Sequence, residues 1–129
     1  LKLKTLKYKA NGGWEYFIAM EEPKLDKIVG LCRLRLPSKK AKMAFKSLEG
    51  AALVRELHVY GRQKSLEAKK GLDSKTQHLG LGKRLMAEAE RIAKKAGYAK
   101  IAVIAAIGTR EYYRKLGYRL EETYMTKNI

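Results

Sequence analysis

Apolar and polar positions alternate through the first third of the chain. Leu1 to Tyr8 reads Leu-Lys-Leu-Lys-Thr-Leu-Lys-Tyr, the period of a half-exposed strand. Asn11-Gly12-Gly13 marks a turn, Trp14 to Met20 a second apolar strand, and Glu21 to Lys27, with Pro23, a polar connection. Ile28 to Leu36 predicts a third strand, with Arg33 and Arg35 on one face and Cys32, Leu34 and Leu36 on the other; Pro37 ends it. Three strands on short connections predict an antiparallel meander. Ser38 to Gly50 reads as a basic loop with one turn of helix. Ala51 to Tyr60 predicts a fourth strand, in which Leu53, Arg55, Leu57 and Val59 alternate with Val54, Glu56, His58 and Tyr60.

The period then changes. Arg62 to Thr76 is polar, lysine-rich and long for a connection, so it is either mobile or functional. From Leu81 to Ala96 the apolar positions Leu81, Leu85, Ala89, Ile92, Ala93 and Ala96 share one face of a helix. Arg84/Glu88 and Glu90/Lys94 form i,i+4 pairs on its exposed side, and Gly97 suits a left-handed cap. Ile101 to Ile107 is an apolar run, the pattern of a strand buried on both faces. Strand 51–60, helix 81–96 and strand 101–105 therefore predict a right-handed βαβ crossover. Thr109 to Leu116 reads as a short helix stopped at Gly117, and Tyr118 to Lys127 as a last strand. The expected architecture is one α/β domain over residues 1–129, with a mixed, mostly antiparallel sheet.

Composition narrows the function. The 129 residues carry 29 basic and 13 acidic side chains, a formal charge of +16, which favours a polyanionic partner: nucleic acid, a phosphate-rich cofactor, or both. Hydrophobic residues make up 46%, too many for a disordered chain. No apolar run reaches the length of a membrane span, so no membrane partner is expected. The single cysteine, Cys32, excludes an internal disulfide and fits a reducing compartment; its apolar strand context reads as a packing thiol. His58 and His78 are the only histidines and no carboxylate cluster accompanies them, so no metal site is expected.

The chemistry concentrates at Gln77-His78-Leu79-Gly80-Leu81-Gly82, just before the periodic helix. Two glycines let the backbone approach a bulky anion, and the helix N-terminus points N–H groups and positive dipole at the same place. Gln-x-x-Gly-x-Gly followed by Lys83-Arg84 resembles the acetyl-CoA-binding motif of the GCN5-related N-acetyltransferases, the GNAT superfamily. Arg55-Glu56-Leu57-His58-Val59-Tyr60-Gly61 and the run from Gly108 to Tyr118, Gly-Thr-Arg-Glu-Tyr-Tyr-Arg-Lys-Leu-Gly-Tyr, resemble the C-terminal acetyltransferase domains of Elongator catalytic subunits. Leu85 to Ala93 and Lys100 to Ile104 are similar to the same domains.

This resemblance implies a GNAT-like fold with a βαβ acetyl-CoA-binding core in a cytoplasmic protein. It also implies a role in converting the wobble uridine of tRNA to its 5-carboxymethyl form, with acetyl-CoA as carbon source. In that family a radical S-adenosylmethionine domain with an iron–sulfur cluster performs the other half of the chemistry. No cysteine cluster occurs here, so that N-terminal domain is expected in the same full-length protein but outside this chain. The first strand and two helices usual in a GNAT domain also lack a counterpart, which suggests that other segments complete the acceptor side.

The resemblance further implies residue roles. Backbone N–H groups of Leu79, Gly80, Leu81, Gly82 and Lys83, in the motif that Gln77 opens, would hold the pyrophosphate. Strands 51–60 and 101–105 would splay, freeing backbone groups near Leu57, His58 and Val59 for the pantetheine amides, with His58 walling the thioester pocket. Tyr113, four residues before Gly117, would contact the cofactor and protonate the leaving thiolate; Tyr112 is the second candidate acid. Glu56 and His58 are candidate bases, although for Glu56 a structural ion pair with Arg55, Arg62 or Arg110 is the favoured reading. Lys39, Lys40, Lys42, Lys46, Lys64, Lys69 and Lys70 would supply phosphate contacts to tRNA. A protein-lysine acetyltransferase and a non-catalytic tRNA-binding module are the alternative readings.

Overall fold

The computed structural model describes residues 1–38, 43, 45–60 and 74–129, and for 74–79 the backbone alone. Strands β1 (Lys2–Ala10), β2 (Gly13–Glu22), β3 (Lys27–Leu36) and β4 (Ala51–Val59) form an antiparallel run. Helix α1 (Ser74–Lys95) crosses from β4 to β5 (Lys100–Ile104), which pairs parallel to β4. Helix α2 (Arg110–Lys115), β6 (Arg119–Glu121) and β7 (Tyr124–Asn128) follow, and the seven-stranded sheet has the order β1-β2-β3-β4-β5-β7-β6.

One core lies between the sheet and α1. Ile18, Met20, Cys32, Leu34 and Val54 from the strands meet Leu81, Leu85, Met86 and Ala89 from the helix. Each fully buried aliphatic side chain of this size contributes roughly 1.5–3 kcal/mol. Cys32 is fully buried, and loss of solvation pushes its thiol up to about 12, as a packing thiol requires.

Five features differ from the sequence reading. Helix α1 begins at Ser74, not Leu81, so the glycine stretch lies inside it. No proline or glycine interrupts 74–79, and a helix anchored by Leu81, Leu85 and Met86 extends backward at little cost. Two glycines cost about 1 kcal/mol each relative to alanine, less than that burial provides. The last strand is divided into β6 and β7 by a turn in which Glu122 takes φ 56°. In β5 only Ile101, Ala102 and Val103 are buried after Lys100; Ile104 and Ile107 are exposed. The helix pairs also change: Glu88 bonds Arg91, and Glu90 turns inward, accepting from Tyr118 Oη at 2.7 Å and Lys127 Nζ at 3.1 Å.

The fifth difference positions the site. The register of β3 with β4 shifts between Arg33↔Glu56 and Leu34↔Val54, which leaves Arg55 as a bulge. A bulge exchanges the faces of everything beyond it. Val54 and, past the bulge, Leu57 and Val59 therefore all pack toward α1, whereas Glu56, His58 and Tyr60 face away. The expected Arg62–Thr76 connection falls mostly outside the described residues.

Candidate functional site

The pairing of β4 with β5 stops at the bulge. Their parallel register runs from Ala51↔Lys100 to Val54↔Val103, and β4 continues to Val59 without β5 beside it. On its other side β4 stays paired with β3 up to Gly30↔Val59, and Tyr60 N donates to Val29 O at 3.0 Å. Hydrogen-bonded and non-bonded pairs alternate along an antiparallel ladder, so Leu31↔His58 and Arg33↔Glu56 are the bonded pairs. The backbone N–H and C=O of Leu57 and Val59 consequently point into the wedge that β5 vacates. Where a splay was expected, β5 ends at Ile104 and leaves the edge of β4 open. His58, expected to offer its backbone there, spends it on Leu31 instead.

Helix α1 roofs this wedge. A Cβ at Gly30 would meet Leu85 Cδ1 at 3.0 Å and His58 O at 3.3 Å, so a side chain at 30 would press on Leu85 where α1 packs on the sheet. One turn earlier, Gly82 is buried beneath Tyr112: a Cβ there would overlap the phenol oxygen and lie 2.9 Å from Cζ. Tyr112 Oη is itself buried with no hydrogen-bond partner, as is Arg110 Nε two residues before it. A buried hydroxyl without a partner retains hydrogen-bonding capacity for a polar ligand.

The two neighbouring tyrosines differ in their surroundings. Tyr113 is buried at 6% exposure, edge-on to Tyr112 and Tyr118 at ring distances of 5.3 and 6.0 Å. Burial first, then the adjacent Tyr112, holds its phenol pKa far above the ordinary value. The nearer hydroxyl to Gly82 is that of Tyr112, whose pKa burial also raises.

Glu56 and His58 do meet, but on the sheet face away from α1. His58 Nε2 lies 2.8 Å from Glu56 Oε1, Arg33 Nη1 lies 3.5 Å from Oε2, and the Tyr60 ring stacks on His58 with centroids 6.3 Å apart. Among the described residues Glu56 takes Arg33 and His58 as partners; of the expected arginines, Arg55 is engaged elsewhere and Arg62 lies outside the described residues. Arg55 Nη1 donates to Glu15 Oε1 at 3.0 Å, a carboxylate only 5% exposed. This buried pair left no signal in the alternation, because the bulge that turns Arg55 toward Glu15 has no signature of its own.

The pyrophosphate cradle expected at residues 79–83 is not an open loop. In an α-helix that starts at Ser74, the free N–H groups lie before Gln77, and those of 79–83 bond within the helix. The side chains of Gln77, His78 and Leu79 lie outside the described residues, as do all the basic-cluster residues except Lys46. No group of His, Cys, Asp and Glu among the described residues could hold a metal ion, and no described helix is long and apolar enough to cross a membrane.

Residues 71–128 match the family model for an acetyltransferase (GNAT) domain. The chain is 49% identical over 123 residues to Elongator complex protein 3 of Bos taurus and 50% identical over 125 residues to that of Saccharomyces cerevisiae. Each match covers 95% of this chain but 22% of the relative, so the chain spans about a fifth of those proteins' length. An N-terminally truncated archaeal Elp3 from Methanocaldococcus infernus superposes with a TM-score of 0.77 at 39% identity, over 99% of this chain and 30% of that one. A Bacillus subtilis acetyltransferase solved in complex with CoA shares the fold at a TM-score of 0.53 and 16% identity, over 99% of both chains. The chain thus carries a GNAT acetyltransferase domain, and over 95% of its residues it matches one part of Elongator complex protein 3.

Proposed function

We propose that this domain binds acetyl-CoA along the open edge of β4 and, within a longer protein, supplies its acetyl group for 5-carboxymethylation of wobble uridine in tRNA. The observation that carries the reading is the end of β4–β5 pairing at Val54↔Val103, with the Leu57 and Val59 backbone turned into the gap. An amide-bearing chain can pair with such an edge as an added strand does. A relative of the same fold was solved in complex with CoA.

Bound there, the coenzyme would bring an activated acetyl thioester. The protein's own groups suit that chemistry. Tyr112, with an unpartnered hydroxyl beside Gly82, is placed to donate a proton to a leaving thiolate. Tyr113 stays protonated well beyond neutral pH and buttresses Tyr112 edge-on. The Glu56–His58 pair lies on the opposite face, where an acceptor can approach without crossing α1, and an imidazole held by a carboxylate is oriented to accept a proton. The charge of +16 supports a polyanionic acceptor over a basic protein tail, which it would repel.

Backbone contact between residues 79–83 and a pyrophosphate requires the first turns of α1 to open. Gly80 and Gly82 lower the cost of that opening by about 1 kcal/mol each relative to alanine. The test is to incubate the protein with acetyl-CoA, with and without tRNA, and to measure free thiol. Release that rises with tRNA and falls in Tyr112→Phe supports the reading; release that ignores tRNA rejects the tRNA half of it.

A further inference from the structure

The hairpin of β1 and β2 carries a feature that the function above does not use. The strands close on a two-residue turn, with Asn11 at φ 48° and Gly12 at φ 77°, the pair of positive angles that a type I′ turn requires. The turn is pinned to β3. Arg35 donates from Nη1 to Ala10 O at 3.1 Å and from Nη2 to Asn11 O at 3.2 Å. A Cβ at Gly13 would lie 2.7 Å from Leu36 O, so the lack of a side chain lets β2 start that close to β3.

One face of this pinned hairpin is aromatic and cationic. Lys7 pairs across the strands with Tyr16 and Lys9 with Trp14, and directly opposed residues share a face. Lys7 Nζ lies 4.3 Å from the Trp14 ring centroid and 5.6 Å from that of Tyr16, and Lys9 Nζ lies 5.7 Å from Trp14. Farther along β2 the same face is closed: Ile18 and Met20 are fully buried in the core beneath α1, and Tyr16 is half-buried. Trp14 stays 40% exposed. No carboxylate among the described residues pairs with Lys7 or Lys9, whereas Lys4, on the other face of β1, lies 3.1 Å from Glu21. A ring quadrupole attracts an ammonium but does not neutralise it.

The combination selects a partner. An acidic peptide would use the two lysines and leave the indole idle; an apolar segment would cover the indole and strand the lysines. An unpaired nucleotide presents a flat ring next to a phosphate and uses both, and base–aromatic stacking flanked by cations is how single strands are held. We propose that Trp14, flanked by Lys7 and Lys9, is a stacking platform for an unpaired nucleotide of RNA. Trp14 lies six residues along β2 from Met20, which is level with Gly30 and Val59, a distance of about 20 Å. The nucleotide held here is therefore a different one from any that reaches the open edge of β4. This inference rests on the RNA half of the function proposed above.

Trp14 is the only tryptophan of the chain, so its fluorescence reports on this place alone. The probes are an unstructured RNA of about ten nucleotides, within the span of a single-strand site, and long duplex RNA, which exposes few base faces per phosphate. The single strand should quench Trp14 and the duplex should not. Anisotropy of the labelled single strand should show binding weakened about five- to hundredfold in Trp14→Leu, the loss of one base–aromatic stack, and recovered to within about threefold in Trp14→Phe. Lys7→Gln should lower the slope of log affinity against log salt by about 0.7. Equal binding by the leucine and phenylalanine variants, as a merely apolar docking surface would give, overturns the proposal, and so does quenching by duplex as strong as by single strand. Stimulation of thiol release by tRNA without any quenching of Trp14 overturns the platform and leaves the tRNA reading standing. Neither quenching nor stimulation overturns both.

Discussion

The phenol oxygen of Tyr112 occupies the space that a side chain on Gly82 would need. That contact ties α2 to the third turn of α1 and sets a glycine where helix propensity argues against one. It also separates the two glycines of the motif. Gly80 faces open space, with nothing within 4 Å of an added Cβ, whereas Gly82 is covered. Gly80→Ala should stabilise the protein by about 0.5–1 kcal/mol through helix propensity. Gly82→Ala should destabilise it despite the same propensity gain, because Tyr112 must move, and Tyr112→Ala should relieve part of that loss. Thermal unfolding of the three single variants and the Gly82→Ala/Tyr112→Ala pair checks this. Equal effects at 80 and 82 would contradict the contact.

A second prediction concerns the bulge. Arg55 covers Glu15, a carboxylate left otherwise with Arg35 at 4.0 Å. Arg55→Ala should cost about 2 kcal/mol, less than for a fully buried pair because Arg55 is itself half exposed. Urea unfolding measures it, and a change under about 0.5 kcal/mol would mean that Arg35 suffices alone.

The buried thiol and phenols predict an alkaline limit. The pKa of Cys32 is raised by burial from 9.0 to about 12, and those of Tyr113 and Tyr118 are raised above their usual 10.0. A group whose pKa is higher folded than unfolded binds more protons in the folded state at pH values between the two. Its contribution is therefore complete below the unfolded value and lost as pH climbs toward the folded one. The melting temperature should hold to about pH 9 and then fall steadily, with Cys32→Ala flattening the first part of the decline. A melting temperature level from pH 8 to 11 would contradict the burial of these groups.

Much of this was readable in the residues. Alternation in Leu1–Tyr8 marked β1 and in Ile28–Leu36 marked β3 with its arginine face, and the 3.6-residue period from Leu81 marked the buried stripe of α1. Gly80 and Gly82 marked the neighbourhood of the site but not its conformation. A glycine's permissiveness allows a loop without requiring one, and Ser74 to Leu79 contains nothing to stop a helix. The bulge at Arg55 was hidden because the ten residues from Ala51 alternate plausibly in either phase. That one slip moved Leu57 and Val59 to the α1 face and turned the His58 side chain away from it. Tyr112 and Tyr113 are adjacent in a six-residue helix, where period cannot say which ring turns inward; packing against Tyr118 decided it.

The open edge of β4 is the center of the account, and amide hydrogen exchange resolved by residue tests it most directly. Acetyl-CoA should slow exchange of the Leu57 and Val59 amides, which point into the wedge, by about tenfold or more. The His58 amide, already bonded to Leu31, should change little, and β1 at the far edge of the sheet should not change. Unaltered exchange at Leu57 and Val59 under saturating acetyl-CoA, or protection confined to another edge, would contradict the assignment of this wedge as the coenzyme site.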